Sequence, residues 1–163
     1  MTACSRLGRF TVRAMLRPMR LTIVDKARLL GGVPLFSEVP TEVLADLATL
    51  ASDQHFVEAT ILFQQGDLGD AFFLVVGGHV RASRDGSEVH RAGPGEEVGA
   101  LAVLDRRPRA FTAEAEAGCD LLGIAADDFH YLLEQHPSLA RGVVRYLALE
   151  VRKAFRGVGR YAS

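Results

Sequence analysis

The stretch GALAVLDRRPRAF, residues 99–111, reads as a cradle for a phosphate. Gly99 opens a short apolar helical turn. The first backbone N–H groups of such a turn have no partner within it, and its dipole favours an anion at that end. Arg109, directly after Pro108, carries a planar guanidinium that can grip two phosphate oxygens at once. Together these groups would neutralise one phosphate charge and no more.

On both sides of the cradle the sequence changes to short alternating runs bounded by Gly and Asp, the pattern of strands. QHFVEA, ILFQQG, AFFLVVGG, HVRASRDG, SEVHRAG, AFTAEAEAG and DLLGIA, all within residues 54–125, are strand material. Within SRDGSE, Asp85-Gly86 supplies the positive φ angles of a tight hairpin. So many short strands at close spacing predict a closed or doubly folded antiparallel sheet, a barrel or jelly roll.

Helical periodicity flanks this β region. LTIVDKARLL puts Ile23, Val24, Ala27 and Leu30 on one side and stops at Gly31-Gly32. VPTEVLADLATLA follows with Thr41 as its expected N-cap and Val43, Leu44, Leu47, Leu50 and Ala51 on its inner face. Beyond the strands, AADDFHYLLEQHP opens a helix with Asp127 or Asp128 near its N-terminus and stops before Pro137. SLARGVVRYLALEVRKAF then repeats Leu139, Val143, Leu147, Val151 and Phe155 every four residues. The expected organisation is a basic arm over residues 1–20 and a single domain over 21–163. That domain has helices at 21–51, a β-roll at 52–125 containing the cassette 99–111, and C-terminal helices at 126–158. Met15 and Met19 offer later start sites that would remove the arm.

Charge is segregated along the 163 residues. The first 20 carry five arginines and no acid, and residues 141–163 carry six bases against Glu150, which leaves 8 bases and 19 acids for residues 21–140. The field of so acidic a body repels anions, so any anion site has to be local. The longest apolar run, AFFLVV at 71–76, is far short of a membrane span, and arginines interrupt every N-terminal stretch that could serve as a secretory leader. Cys4 and Cys119 are too few for a disulfide framework and lack metal-site spacing. These features predict a cytoplasmic protein with no membrane span.

Four separated motifs, VPLFSEVPTEVLADLA, LFQQGDLGDAFFLVVGGHV, AGPGEEVGALAVLDRRPRA and DDFHYLLEQHPSLA, occur in one order. In that order they resemble the cyclic nucleotide-binding domain family over residues 21 to about 156. The resemblance implies a mainly β fold with flanking helices, a double-stranded β-helix or jelly roll of the catabolite activator type. It also implies a ligand, cAMP or cGMP or another small phosphate, and no cofactor. The site residues it implies are Gly99, Ala100, Leu101, Ala102, Pro108, Arg109 and Ala110.

The sequence departs from the family pattern at three places. The family typically has a glutamate at position 100, where it accepts a hydrogen bond from the ribose 2′-hydroxyl, and Ala100 cannot. Losing such a bond costs about 1.5–3 kcal/mol, roughly 10- to 100-fold in affinity. Phe111 replaces a small residue on the same face as Arg109, where its ring could fill the base or phosphate space. Ala59-Thr60 stands where a Gly-Glu turn is usual.

Other chemistries find little support. His55, His79, His90, His130 and His136 never form the H-x-H pattern of a metal-binding jelly roll, and no G-x-S-x-G or Cys/His/Asn set is present. The chain is not expected to be an enzyme. Read alone, Arg109 is also compatible with a surface arginine or one paired with a body carboxylate, and Arg106 and Arg107 read as solvated loop charges. Two functions follow. One is a ligand sensor that relays binding through the C-terminal helix to a homodimer partner or another protein. The other is an interaction module with the same fold and no ligand. Sequence-specific DNA binding is not expected.

Overall fold

The computed structural model describes residues 20–156. Eight strands form two four-stranded antiparallel sheets. The first runs in the order β1 (Ser52–Phe56), β8 (Cys119–Ala125), β3 (Ala71–Gly77), β6 (Glu97–Val98). The second runs β2 (Thr60–Phe63), β7 (Thr112–Ala115), β4 (Val80–Arg84), β5 (Ser87–Ala92). A β-roll is thus the observed architecture, and Asp85 (φ 51°) and Gly86 (φ 82°) make the hairpin between β4 and β5.

The apolar run Phe72–Val75 lies at the centre of β3, with all four side chains at most 1% exposed. Successive side chains of a strand point to opposite faces, and here both faces are covered. Phe73 and Val75, with Leu121 and Cys119 of β8, fill the space between the two sheets together with Phe56, Phe63 and Val98. Burial pushes the Cys119 thiol up to about 11, so it is protonated and inert. Phe72 and Leu74, with Leu122 and Ile124, turn outward into a second core built with the helices.

That helical layer contains α1 (Ile23–Gly31), a 3₁₀ turn at Pro34–Phe36, α2 (Thr41–Leu50), α4 (Ala126–Gln135) and α5 (Pro137–Arg156). Phe36, Phe72 and Phe129 form its aromatic centre, with the Phe72 and Phe129 rings edge-to-face at 5.0 Å. The short α3 (Ala100–Asp105) lies between the two strands it connects, and its Ala100 and Val103 belong to this core.

Several local expectations are corrected. Thr22 and Asp25 cap α1 reciprocally. This first turn faces solvent, so Ile23 and Val24 are exposed rather than buried with Ala27 and Leu30. Pro40, not Thr41, is the N-cap of α2, and its carbonyl accepts from the Val43 and Leu44 N–H groups at 3.1 Å. Leu50, in the last turn, is exposed while Ala48 is buried. In α5, Leu139 and Val143 are buried, Leu147 is half-buried, and Val151 and Phe155 are exposed. Four residues rotate a helix about 40° past a full turn, so a stripe with that spacing drifts off the core. Most of the basic arm, and residues 157–163, lie outside the described residues.

Candidate functional site

Gly99 links β6 to α3 as the helix N-cap, with φ 93° and ψ 8°. An L side chain is strained there. A Cβ at this position would also lie 2.7 Å from Arg109 Nη1 and 3.0 Å from the Phe63 ring, so glycine is required twice over. The loop 66–69 runs close beside α3, where a Cβ on Gly69 would sit 2.5 Å from the Ala102 carbonyl oxygen. The same loop pins the Arg109 backbone, because Arg109 N–H donates to Asp67 O at 2.7 Å and Gly66 N–H donates to Arg109 O at 2.8 Å.

Arg109 is not a surface arginine. It is 3% exposed, with its guanidinium carbon 3.9 Å from the centroid of the Phe63 ring. Nη1 donates to Gly99 O at 2.8 Å, and Nη2 donates to Ala71 O and to Asp70 Oδ1 at 3.4 Å. The alternative of a carboxylate partner is therefore realised in Asp70. Burial lowers the Arg109 pKa, and Asp70 and Asp67 offset part of that; a guanidinium remains charged regardless. Its Nε–H is buried and has no acceptor.

Arg109 lines a cavity of about 380 Å³, large enough for a small ligand. All seven residues of the expected site, Gly99, Ala100, Leu101, Ala102, Pro108, Arg109 and Ala110, lie on its wall. Phe111 lies there too, packed on Phe63 at 5.6 Å between centroids. Its ring forms part of the wall and leaves the cavity open.

The remaining wall is less legible in the sequence. Ala82 of β4 and Val89, His90 and Ala92 of β5 face the cassette across the roll, a placement that only the strand order creates. Glu97 and Val98 come from β6, a two-residue strand that the alternation pattern does not register. Glu97 Oε2 accepts from Ala100 N–H at 3.2 Å, so the first backbone donor of α3 is already engaged. Burial pushes the Glu97 carboxyl above its ordinary value, and this hydrogen bond pulls it only partly back.

His90 is paired with Glu96 at 3.0 Å. Among the described residues no group of three or more His, Cys, Asp or Glu could hold a metal ion. On the side of α3 away from the cavity, His130 Nε2 of α4 lies 2.8 Å from Val103 O. This bond ties the cassette helix to the C-terminal helices.

The family model for the cyclic nucleotide-binding domain matches residues 53–136, just over half of the chain. The chain belongs to this family. As a cyclic nucleotide-binding domain it is 32% identical over 76% of its length to the cyclic AMP receptor protein of Thermus thermophilus, covering 59% of that protein. It is 28% identical over 82% of its length to a cyclic nucleotide-gated potassium channel of Rhizobium etli, covering 37% of it. The chain thus spans less than two thirds of these curated relatives. Among solved structures, the N-terminal domain of a transcriptional regulator from Streptomyces coelicolor superposes with a TM-score of 0.68 at 31% identity, over 77% of this chain and 94% of that one. Cyclic nucleotide-binding domains take cAMP or cGMP as a regulatory ligand, not as a cofactor. No helix among the described residues is long and apolar enough to cross a membrane.

Proposed function

We propose that this chain is a non-enzymatic, cytoplasmic sensor domain. It binds cAMP or cGMP in the 380 Å³ cavity and passes occupancy to α5. The observation that carries the reading is the buried Nε–H of Arg109, a charged donor without a protein acceptor on a cavity wall. Leaving such a donor unmatched is costly, and an anionic ligand would match it. In this reading Arg109 holds the cyclic phosphate. Gly99 to Ala102, Pro108 and Ala110 shape the space around phosphate and sugar, while Val89, Ala92 and Phe111 face the base.

The route outward runs from α3 through the Val103–His130 contact to α4 and on to α5. On α5, Val144, Ala148, Val151 and Phe155 recur at alternating spacings of four and three, with Val144 65% and Val151 53% exposed. That spacing is the seam of a paired helix, and we assign it to a second copy of the chain. The domain boundaries at residues 21–163, with an appended basic arm, belong to the same proposal.

A second reading, an interaction module with no ligand, is favoured by one observation. The Glu97 carboxylate occupies the Ala100 N–H at the head of the cassette. Calorimetric titration of the chain with cAMP and cGMP, with Arg109→Ala as control, separates the two. Saturable binding lost in Arg109→Ala supports the sensor. No heat up to millimolar ligand at two temperatures, from a folded sample, supports the module.

A further inference from the structure

Glu97 faces the helical layer. It pairs across the sheet with Leu74, whose side chain belongs to the core between sheet and helices, and directly opposed residues of an antiparallel pair share a face. Glu97 is half-buried there, and its one hydrogen bond among the described residues is accepted from Ala100 N–H at 3.2 Å. A carboxylate has acceptor sites for about four donors, so most of its capacity is unused. Beside it lies Tyr146 of α5, half-buried against the same core, its phenol pushed up by burial and then by the charges of Glu97 and Glu150. Glu150 is itself paired with Lys153 at 2.7 Å. The Tyr146 hydroxyl has no hydrogen-bond partner among the described residues. A donor without an acceptor thus stands next to an acceptor short of donors.

The two residues sit where a shift of either helix would be felt. Through Ala100 N–H the Glu97 carboxylate is tied to the head of the cassette helix. The first half of α5 is fixed. Leu139 and Val143 are buried, Arg145 pairs with Glu38 at 3.1 Å, and Gly142 passes so close to Val39 that a Cβ would lie 3.0 Å from its Cγ2. From Val151 to Arg156 every side chain is exposed. Tyr146 lies between the held half and the free half.

We propose that Glu97 and Tyr146 are the two halves of a latch. With ligand bound, α5 closes on β6, the Tyr146 hydroxyl donates to the Glu97 carboxylate, and this bond holds the helix in place. The inference rests on the reading of the chain as a cyclic nucleotide sensor and adds which residues retain its bound state. The Val103–His130 contact carries the movement to α5, and the latch keeps α5 where it arrives. Donor and acceptor groups drawn out of water are costly while they stay apart, so closure relieves both at once.

The test is a double-mutant cycle on the full chain, read by calorimetry as the Kd for cAMP or cGMP, whichever wild type binds more tightly. Tyr146→Phe removes only the hydroxyl, and Glu97→Met removes the carboxylate at nearly constant length. In the wild-type background Tyr146→Phe is expected to weaken binding roughly 10-fold, the lower end of what a hydrogen bond to a charged group is worth. In the Glu97→Met background the same change is expected to do nothing. Glu97→Gln keeps a neutral acceptor and restores a step of about 3-fold. Whatever Glu97→Met does by releasing Ala100 N–H, the cycle reads the Tyr146→Phe step alone.

An equal loss from Tyr146→Phe in all three backgrounds overturns the latch and reduces the hydroxyl to a packing role. So does no loss in any of them, once thermal unfolding has shown the variants folded. Should Glu97→Met fail to fold, the Glu97→Gln background decides alone, and a step there as large as in wild type overturns the latch. These outcomes leave the sensor reading standing. Failure of wild type to bind either cyclic nucleotide overturns that reading, and this inference with it.

Discussion

Arg109 sits over the Phe63 ring, its guanidinium carbon 3.9 Å from the ring centroid, while its Nη atoms are tied to Gly99, Ala71 and Asp70. The guanidinium is therefore oriented before any ligand arrives, and binding need not order it. A cation over a partly desolvated ring gains about 0.5–2 kcal/mol. Phe63→Leu keeps the apolar volume and removes that contact. The expected result is a folded protein whose Kd for cAMP rises about 3- to 30-fold by calorimetry. Arg109→Lys, without the fork, is expected to weaken binding further. Unaltered affinity in both variants would separate Arg109 from ligand recognition.

Gly99→Ala places a Cβ at φ 93° and 2.7 Å from Arg109 Nη1. The backbone strain alone is worth about 1–3 kcal/mol, and the clash pushes Arg109 away from its three acceptors. A lower Tm together with loss of cAMP binding is expected. Retention of wild-type affinity would mean that the cassette can relax around the methyl.

The raised pKa of Glu97 has a pH signature. Its carboxyl binds protons more tightly folded than unfolded, so stability falls as pH rises through the interval above the ordinary carboxylate value of 4.5 and toward the raised folded value. Below that interval the group is protonated in both states and contributes nothing. Glu97→Gln is thus expected to raise the Tm at pH 7 and to leave it nearly unchanged near pH 4. An equal gain at both pH values would show that burial of the charge is not its source.

Phe129 is fully buried, edge-to-face with both Phe72 and Phe36. Truncating it opens a cavity at the junction of sheet and helices, and Phe129→Ala should cost about 3–5 kcal/mol in chemical denaturation. His130→Ala removes only the tie to Val103 O, worth about 0.5–1.5 kcal/mol. Its expected effect lies elsewhere: cAMP should still bind, but hydrogen exchange along α5 should cease to respond to it. A normal α5 response in His130→Ala would place the relay on another contact.

The exposed seam of α5 gives a prediction for assembly. Val144→Glu with Val151→Glu puts two charges on it, and sedimentation should show a wild-type dimer converted to a monomer with unchanged thermal stability of the roll. A monomeric wild type would remove the second copy from the proposal.

What the sequence made legible tracks how local each signal is. The hairpin at Asp85-Gly86, the strands around it and the cassette helix were readable because a few neighbouring residues decide them. Glu97 was not singled out, although it was present in a quoted motif, because its two-residue strand has too little alternation to see and its partner is a backbone N–H. Burial of Arg109 was equally hidden, since Phe63, Ala71 and Gly99 surround it only after the two sheets close. The outward drift of Val151 and Phe155 followed from helix geometry and could have been anticipated from the four-residue spacing.

β3 carries one core on each of its faces, and this constrains how such a chain can diverge. Phe72 to Val75 cannot change without disturbing packing on one side or the other. Val89 and His90 on β5 touch the cavity while lying largely in the open. Over evolutionary time substitutions should accumulate on that second sheet and spare the first. Descendants of this chain could then exchange one ligand for another by altering β4 and β5, on a scaffold whose two cores stay the same.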